Sequence, residues 1–291
     1  MFKGTYTALV TPFKDGDIDE RALQRLIRLQ VAARVDGIVP VGTTGESPTL
    51  NYDEHIRVIA QSVKFAAGRI KVIGGTGANS TAEAIYLTRA AEKAGVDASL
   101  QVAPYYNRPT QEGMFQHFRA IARATRLPIL LYSVPSRCGV EIGVETMRRL
   151  AAKCPNIIGI KESGGKPDRV SEIRAALGSQ FTILSGEDSL TLPYMAVGAD
   201  GVISVASNVI PREVVQMVNS FAAGQVRAAL KLHTKLFPIF RDLFIEPNPI
   251  PVKAALAMIG LIEEENRLPL TAMSPVGRRV LRSTMKRLRL V

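Results

Sequence analysis

The run IIGIKESGG, residues 157–165, sets a short apolar strand directly against a lysine, a carboxylate and a glycine turn. The apolar part does not alternate with polar residues. That is the signature of a strand covered on both faces, as in a parallel sheet. Such a strand ending on an ammonium has two readings. Either Lys161 caps it and reaches water, as most lysines do, or the fold places an amine in a pocket to react there. Seven further runs of the same kind decide the setting: YTALV (6–10), GIVPVG (37–42), KVIGG (71–75), ASLQVAP (98–104), PILLYSV (128–134), FTILSG (181–186) and GVISVA (201–206). Helical stretches lie between them. Eight β-then-α units predict an α/β protein with a (β/α)8 TIM barrel. The alternative, a doubly wound open sheet, usually has fewer strands in this length.

The helix signals agree. In DERALQRLIRLQVAA, Leu23, Leu26, Ile27 and Val31 recur on one face behind a capping Asp19. In STAEAIYLTRAAEKAG, Ser80 stands three residues before Glu83, a capping-box spacing, and Gly95 closes the helix. From about residue 225 strands stop. QVRAALKLHTKLFPIFRDLF, IPVKAALAMIGLI and SPVGRRVLRSTMKRLRLV read as helices, with a Pro-rich turn, EPNPIP (246–251), between the first two. The division expected is a catalytic barrel over 1–224 and a small all-helical domain over 225–291.

Composition narrows the function. The chain has 291 residues, 46% hydrophobic and 22% charged, ordinary for a globular protein. No apolar run reaches the ~20 residues of a membrane span. The N-terminal MFKGTYTALVTPF lacks a signal-peptide pattern, so a cytoplasmic protein with no membrane partner is expected. A net charge of +11 raises nucleic-acid binding. The cations are scattered at helical spacing, however, and only the tail is dense. A basic surface that attracts anionic substrates is the plainer reading, with no nucleic-acid partner. Two cysteines, Cys138 and Cys154, and three dispersed histidines offer neither a disulfide framework nor a zinc pattern, so no metal is expected.

In a barrel, chemistry gathers where the strands end. Those ends read Thr11-Pro12, GTTGES (42–47), GTGANS (75–80), PYYN (104–107), Tyr132 with SVPSR (133–137), Lys161-Glu162-Ser163, SGED (185–188) and Ser204 to Asn208. Hydroxyls, amides, one amine and one guanidinium converge on one mouth. An ammonium with a pKa near ~10.4 is a poor nucleophile at neutral pH, and burial disfavours its charged form. A neutral amine attacks a ketone to form a Schiff base, and phenols and hydroxyls move the protons. This is class I aldolase or lyase chemistry and needs no cofactor. GTTGES lacks a Walker lysine and does not match GxGxxG. A carboxylate is the simpler anion for it, held by the backbone amides of Thr43 and Thr44 beside Lys161.

At this point GTTGES followed by PTLNYDEH, then PYYNRPTQEG, LYSVPSRCG, IIGIKES, GVISVASN and EPNPIPVK resemble the dihydrodipicolinate synthase family. The likeness runs from residue 2 to the final helix. The wider family includes N-acetylneuraminate lyase and other pyruvate-dependent class I aldolases. The resemblance implies that Lys161 condenses with pyruvate, and that Thr43, Tyr132 and Tyr106 form a proton relay, Tyr106 reaching in from a neighbouring subunit. It implies that Thr44 helps to hold the pyruvate carboxylate and that Gly186 and Ile203 line its pocket through their backbone. Arg137 would bind the carboxylate of L-aspartate 4-semialdehyde, a task suited to a fixed guanidinium fork. The product would be 4-hydroxy-tetrahydrodipicolinate, toward diaminopimelate and lysine, made by a homotetramer built as a dimer of dimers. The alternative is a related Schiff-base aldolase acting on a sugar acid or a hydroxyproline-derived substrate. Arg137 favours the synthase, whereas Ser133 departs from the family's usual YNVPSR.

The resemblance also implies a second site, since some members are inhibited by L-lysine at a dimer interface. The corresponding positions are Ser47, Pro48, Tyr52, His55, Asn79, Glu83 and Tyr105. Pro48 and Tyr52 depart from the commonest sensitive pattern. Plainer readings stand beside these roles. Tyr105 and Tyr106 can pack at an interface, Tyr132 can be core, Arg137 can be surface, His55 and Glu83 can be ordinary first-turn residues, and Asn248 can simply organise its turn. Cys138 follows Arg137 with no base beside it and is read as incidental.

Overall fold

A computed structural model describes residues 2–291. Eight parallel strands close into a barrel: β1 (Gly4–Ala8), β2 (Gly37–Val39), β3 (Lys71–Gly75), β4 (Ala98–Val102), β5 (Ile129–Ser133), β6 (Ile157–Glu162), β7 (Thr182–Ser185) and β8 (Gly201–Ser204). Each pairs with its sequence neighbour, and β1 pairs with β8 to complete the ring. At that seam Gly4 sits opposite Gly201. A Cβ on Gly201 would lie 2.0 Å from the Gly4 carbonyl oxygen, so only glycine fits there.

The eight expected strands are all present. The first begins two residues earlier than its apolar run, because Leu9 and Val10 are buried past the end of the ladder. Apolarity records burial, and here burial outlasts the hydrogen-bonded strand. A two-stranded antiparallel ribbon, Phe13–Lys14 with Asp17–Ile18, was not expected. Its signal was present in Asp15-Gly16, which both adopt positive φ and make the tight turn.

Local capping chemistry fixes the helices. Asp19 accepts from the Ala22 N–H at 2.8 Å, and Gly95 ends its helix at φ +88. Ser80 accepts from the Glu83 N–H at 3.4 Å, which is half of the expected box. The reciprocal box lies instead at Asn51 and Glu54, with bonds of 2.9 and 3.0 Å. Three helices follow the barrel's own, over Val226–Asp242, Ile250–Met258 and Pro275–Arg287. The last buries Leu281 and Met285 and leaves Arg279, Arg282, Lys286 and Arg287 exposed, so the dense basic tail is the solvated side of an amphipathic helix. The middle helix is buried nearly all round, Lys253 included. No helix among the described residues is long and apolar enough to cross a membrane.

Candidate active site

Lys161 and Tyr132 stand opposite each other on neighbouring strands β6 and β5. In a parallel pair, matched residues present their side chains to the same face. Both side chains are buried, and Lys161 Nζ lies 4.2 Å from the centroid of the Tyr132 ring. Lys161 is only 6% exposed, and among the described residues no carboxylate lies within 4 Å of its ammonium. A buried cation without an ion-pair partner is unusual enough to mark a functional site.

Behind Lys161 the backbone makes room. A Cβ on Gly186 would stand 2.9 Å from Lys161 Cε and 1.8 Å from Ser163 Oγ. The Ser163 hydroxyl is buried and has no hydrogen-bond partner among the described residues. Ile203, on β8, is fully buried. Glu187 is half-buried at the same mouth. Burial pushes its carboxyl up, while the charges of Lys161 and Arg137 pull it back. Asp188 is buried and its carboxyl is likewise raised by burial. It accepts from Ser204 Oγ at 2.5 Å and from the N–H groups of Val205 and Ala206 at 3.0 and 2.9 Å, which fixes the turn after β8.

A cavity of about 220 Å³ opens beside this group, walled by Thr43, Tyr132 and Arg137 among others. Drug-sized pockets run roughly 300–1,000 Å³, so this one takes a small ligand. Tyr132 is the residue shared by the cavity wall and the lysine. Thr44 is buried behind the wall, its hydroxyl accepting from Asn248 Nδ2 at 3.0 Å. Among the described residues, the N–H groups of Thr43 and Thr44 donate to no protein acceptor. Arg137 is exposed at the rim, with one guanidinium nitrogen donating to the Asn248 carbonyl at 3.3 Å. Ser133 is buried and its hydroxyl accepts from the Ile142 N–H at 3.4 Å. Burial raises the Cys138 thiol to about 11, which removes it as a nucleophile at neutral pH.

Tyr106 is not in this wall. It is 92% exposed and held at φ +70. The second set of residues divides. Ser47, Pro48 and Tyr105 line the same cavity. Asn79 Nδ2 donates to the Tyr105 carbonyl at 3.2 Å, and Glu83 lies close enough to add to the upward push that burial gives the Tyr105 hydroxyl. Tyr52 is half-exposed and packs on Tyr86. His55 is buried with Nε2 on the Gly75 carbonyl at 2.8 Å, a bond that ties it to β3.

Two residues central to the site's construction were not singled out from the sequence. Glu46, in the GTTGES turn, and Lys253, on the helix Ile250–Met258, form an ion pair with both side chains fully buried. The available signal was a lysine inside the otherwise apolar run IPVKAALAM. Such a residue needs a partner, but sequence does not name one 207 positions away.

Comparison with known proteins agrees along the whole length. Residues 1–288 match the Dihydrodipicolinate synthetase family. The 4-hydroxy-tetrahydrodipicolinate synthase of Aquifex aeolicus is 53% identical over 287 residues, covering 99% of this chain and 98% of its own. The 4-hydroxy-tetrahydrodipicolinate synthase of the methanotroph Methylacidiphilum fumariolicum SolV superposes with a TM-score of 0.98 at 56% identity, covering 99% of this chain and 96% of its own. The DHDPS of Cyanidioschyzon merolae, solved with lysine bound, superposes at 0.97 with 41% identity, covering 100% of this chain and 99% of its own. A buried unpaired lysine at the mouth of a parallel barrel, in a chain matched from end to end, places this protein in the dihydrodipicolinate synthetase family.

Proposed function

We propose that this chain is a lyase of the 4-hydroxy-tetrahydrodipicolinate synthase type, condensing pyruvate with L-aspartate 4-semialdehyde. The observation that carries the reading is the buried ammonium of Lys161 over the Tyr132 ring, with no carboxylate within 4 Å among the described residues. Lys161 attacks the pyruvate ketone and water leaves, giving an iminium. Loss of a methyl proton turns it into an enamine, whose carbon adds to the semialdehyde's aldehyde. The semialdehyde's own amine then attacks the iminium carbon, displaces Lys161 and closes the ring of 4-hydroxy-tetrahydrodipicolinate.

Position supports each role. The free N–H groups of Thr43 and Thr44 receive the pyruvate carboxylate, and Gly186 and Ile203 bound that pocket. Tyr132 and the Thr43 hydroxyl pass protons. Tyr106, exposed and held left-handed, completes the relay in a second copy, which calls for a homo-oligomer; the assembly proposed is a dimer of dimers, and its place the cytoplasm. Arg137 at the rim takes the semialdehyde carboxylate. L-Lysine binds between copies at the rim formed by Ser47, Pro48, Asn79, Glu83 and Tyr105, in keeping with the lysine-bound relative.

Borohydride reduction in the presence of pyruvate tests the central step. A stable adduct on Lys161, found by peptide mass, is expected; unmodified protein at saturating pyruvate sinks the reading. Pyruvate with a panel of aldehydes separates the synthase from a sugar-acid or hydroxyproline-type aldolase. A lysine titration of initial rates, flat to several millimolar, would remove the regulatory site.

A further inference from the structure

The turn that faces the keto acid's carboxylate is bent against its own sequence. Val41 and Glu46 bracket its glycines, and both are left-handed, at φ +56 and +55. A β-branched residue at positive φ is a true outlier, and such a conformation persists only where its surroundings over-determine it. Three contacts do so. Thr11 Oγ1 donates to the Gly45 carbonyl at 2.7 Å, and Asn248 Nδ2 to Thr44 Oγ1 at 3.0 Å. The deepest is the ion pair of Glu46 with Lys253, neither side chain exposed.

The second oxygen of Glu46 accepts from the Arg267 N–H at 3.0 Å. The Arg267 side chain then grips the Thr49 carbonyl at 3.0 Å and both oxygens of Glu54 at 2.7 and 2.6 Å. Glu46 is therefore held at both oxygens by the chain beyond the barrel. Away from water neither charge of the buried pair is tolerable without the other, so the pair locks the turn to the helix Ile250–Met258.

We infer that Lys253 is a positioning residue for keto-acid binding: by pairing with Glu46 it holds that residue left-handed and aims the Thr43 and Thr44 N–H groups at the substrate's carboxylate. The inference rests on the Schiff-base reading above. A pair that merely supports the fold predicts something different in a folded variant, and kinetics with each substrate varied in turn separates the two. The variants are Lys253→Met alone, which keeps the volume but orphans Glu46, and Glu46→Gln with Lys253→Met, which removes both charges. In the folded double variant the pyruvate KM rises about tenfold or more. Its semialdehyde KM stays within about twofold and kcat falls less than the pyruvate KM rises. Borohydride at saturating pyruvate still labels Lys161.

A folded double variant with the wild-type pyruvate KM overturns the inference, and so does an equal rise in both KM values. Failure of both variants to fold also overturns it, by assigning the pair to the barrel as a whole. Absence of labelling in the unaltered protein strikes the proposed reaction instead, and that result is read independently of either variant.

Discussion

Lys161 and Lys253 occupy near-copies of one environment. Both are buried, and each ammonium lies 4.2 Å from the centroid of an aromatic ring, Tyr132 for the first and Phe13 for the second. The difference is a carboxylate. Lys253 has Glu46, whereas Lys161 has no acid within 4 Å among the described residues. The paired amine is committed to structure, because releasing it would strand a buried anion. The unpaired amine has the Tyr132 ring face, worth on the order of 1–2 kcal/mol, and only the longer-range charges of Glu187 and Asp188, so no contact ion pair ties it to the fold. Burial alone does not set what a lysine does; whether a carboxylate is in contact with it separates the two.

Exchanging the two amines for methionine breaks or sharpens that contrast. Lys161→Met is expected to lower turnover by roughly four or more orders of magnitude, to abolish borohydride labelling and to leave the thermal midpoint little changed. Measurable turnover near the wild-type level would place the chemistry elsewhere. Tyr132→Phe keeps the ring over the ammonium and removes the hydroxyl, so turnover falls roughly 10²- to 10⁴-fold in steady-state assays while circular dichroism stays native. Lys253→Met does the reverse of Lys161→Met. It destabilises the fold by about 3–5 kcal/mol in urea titrations, the value for an orphaned buried partner. If the two lysine variants lose stability equally, the distinction drawn between them fails.

A smaller effect comes from the two buried histidines. Burial lowers the His55 and His117 imidazoles from 6.5 to about 4, with the Gly75 carbonyl partly opposing this for His55. The unfolded chain therefore takes up protons first. Their contribution is intact above about pH 6.5 and is lost as pH falls toward 4. It is of order 1–3 kcal/mol for each. Thermal midpoints from pH 7.5 downward should fall through that window, and His117→Asn should flatten part of the fall. A flat profile down to pH 4 would show that the imidazoles protonate without disturbing the fold.

The strands were legible because a parallel barrel covers both faces of each one, leaving unbroken apolar runs such as IIGIK and PILLYSV. Lys161 was legible because the strand-end rule converts position in a run into position in a mouth. Lys253 was not, since no local pattern points from IPVKAALAM back to Glu46. The strain at Val41 escaped too, because a valine in GIVPVG reads as strand and its left-handed turn is imposed from outside. The site's separate groups could be read one at a time; the bracing between them is a property of the folded whole.

The glycine seam has a consequence for how the protein is made. Gly4 meets Gly201, so the ring stays open until the last strand has been synthesised. At ~5–20 residues per second, the ribosome holds an unclosed sheet with two bare edges for roughly 10–40 s. Bare edges invite pairing with other nascent chains. The latch residues at 253 and 267 emerge later still. An interrupted translation product that had already closed its ring would therefore carry Lys161 but not the chain segments that brace the GTTGES turn.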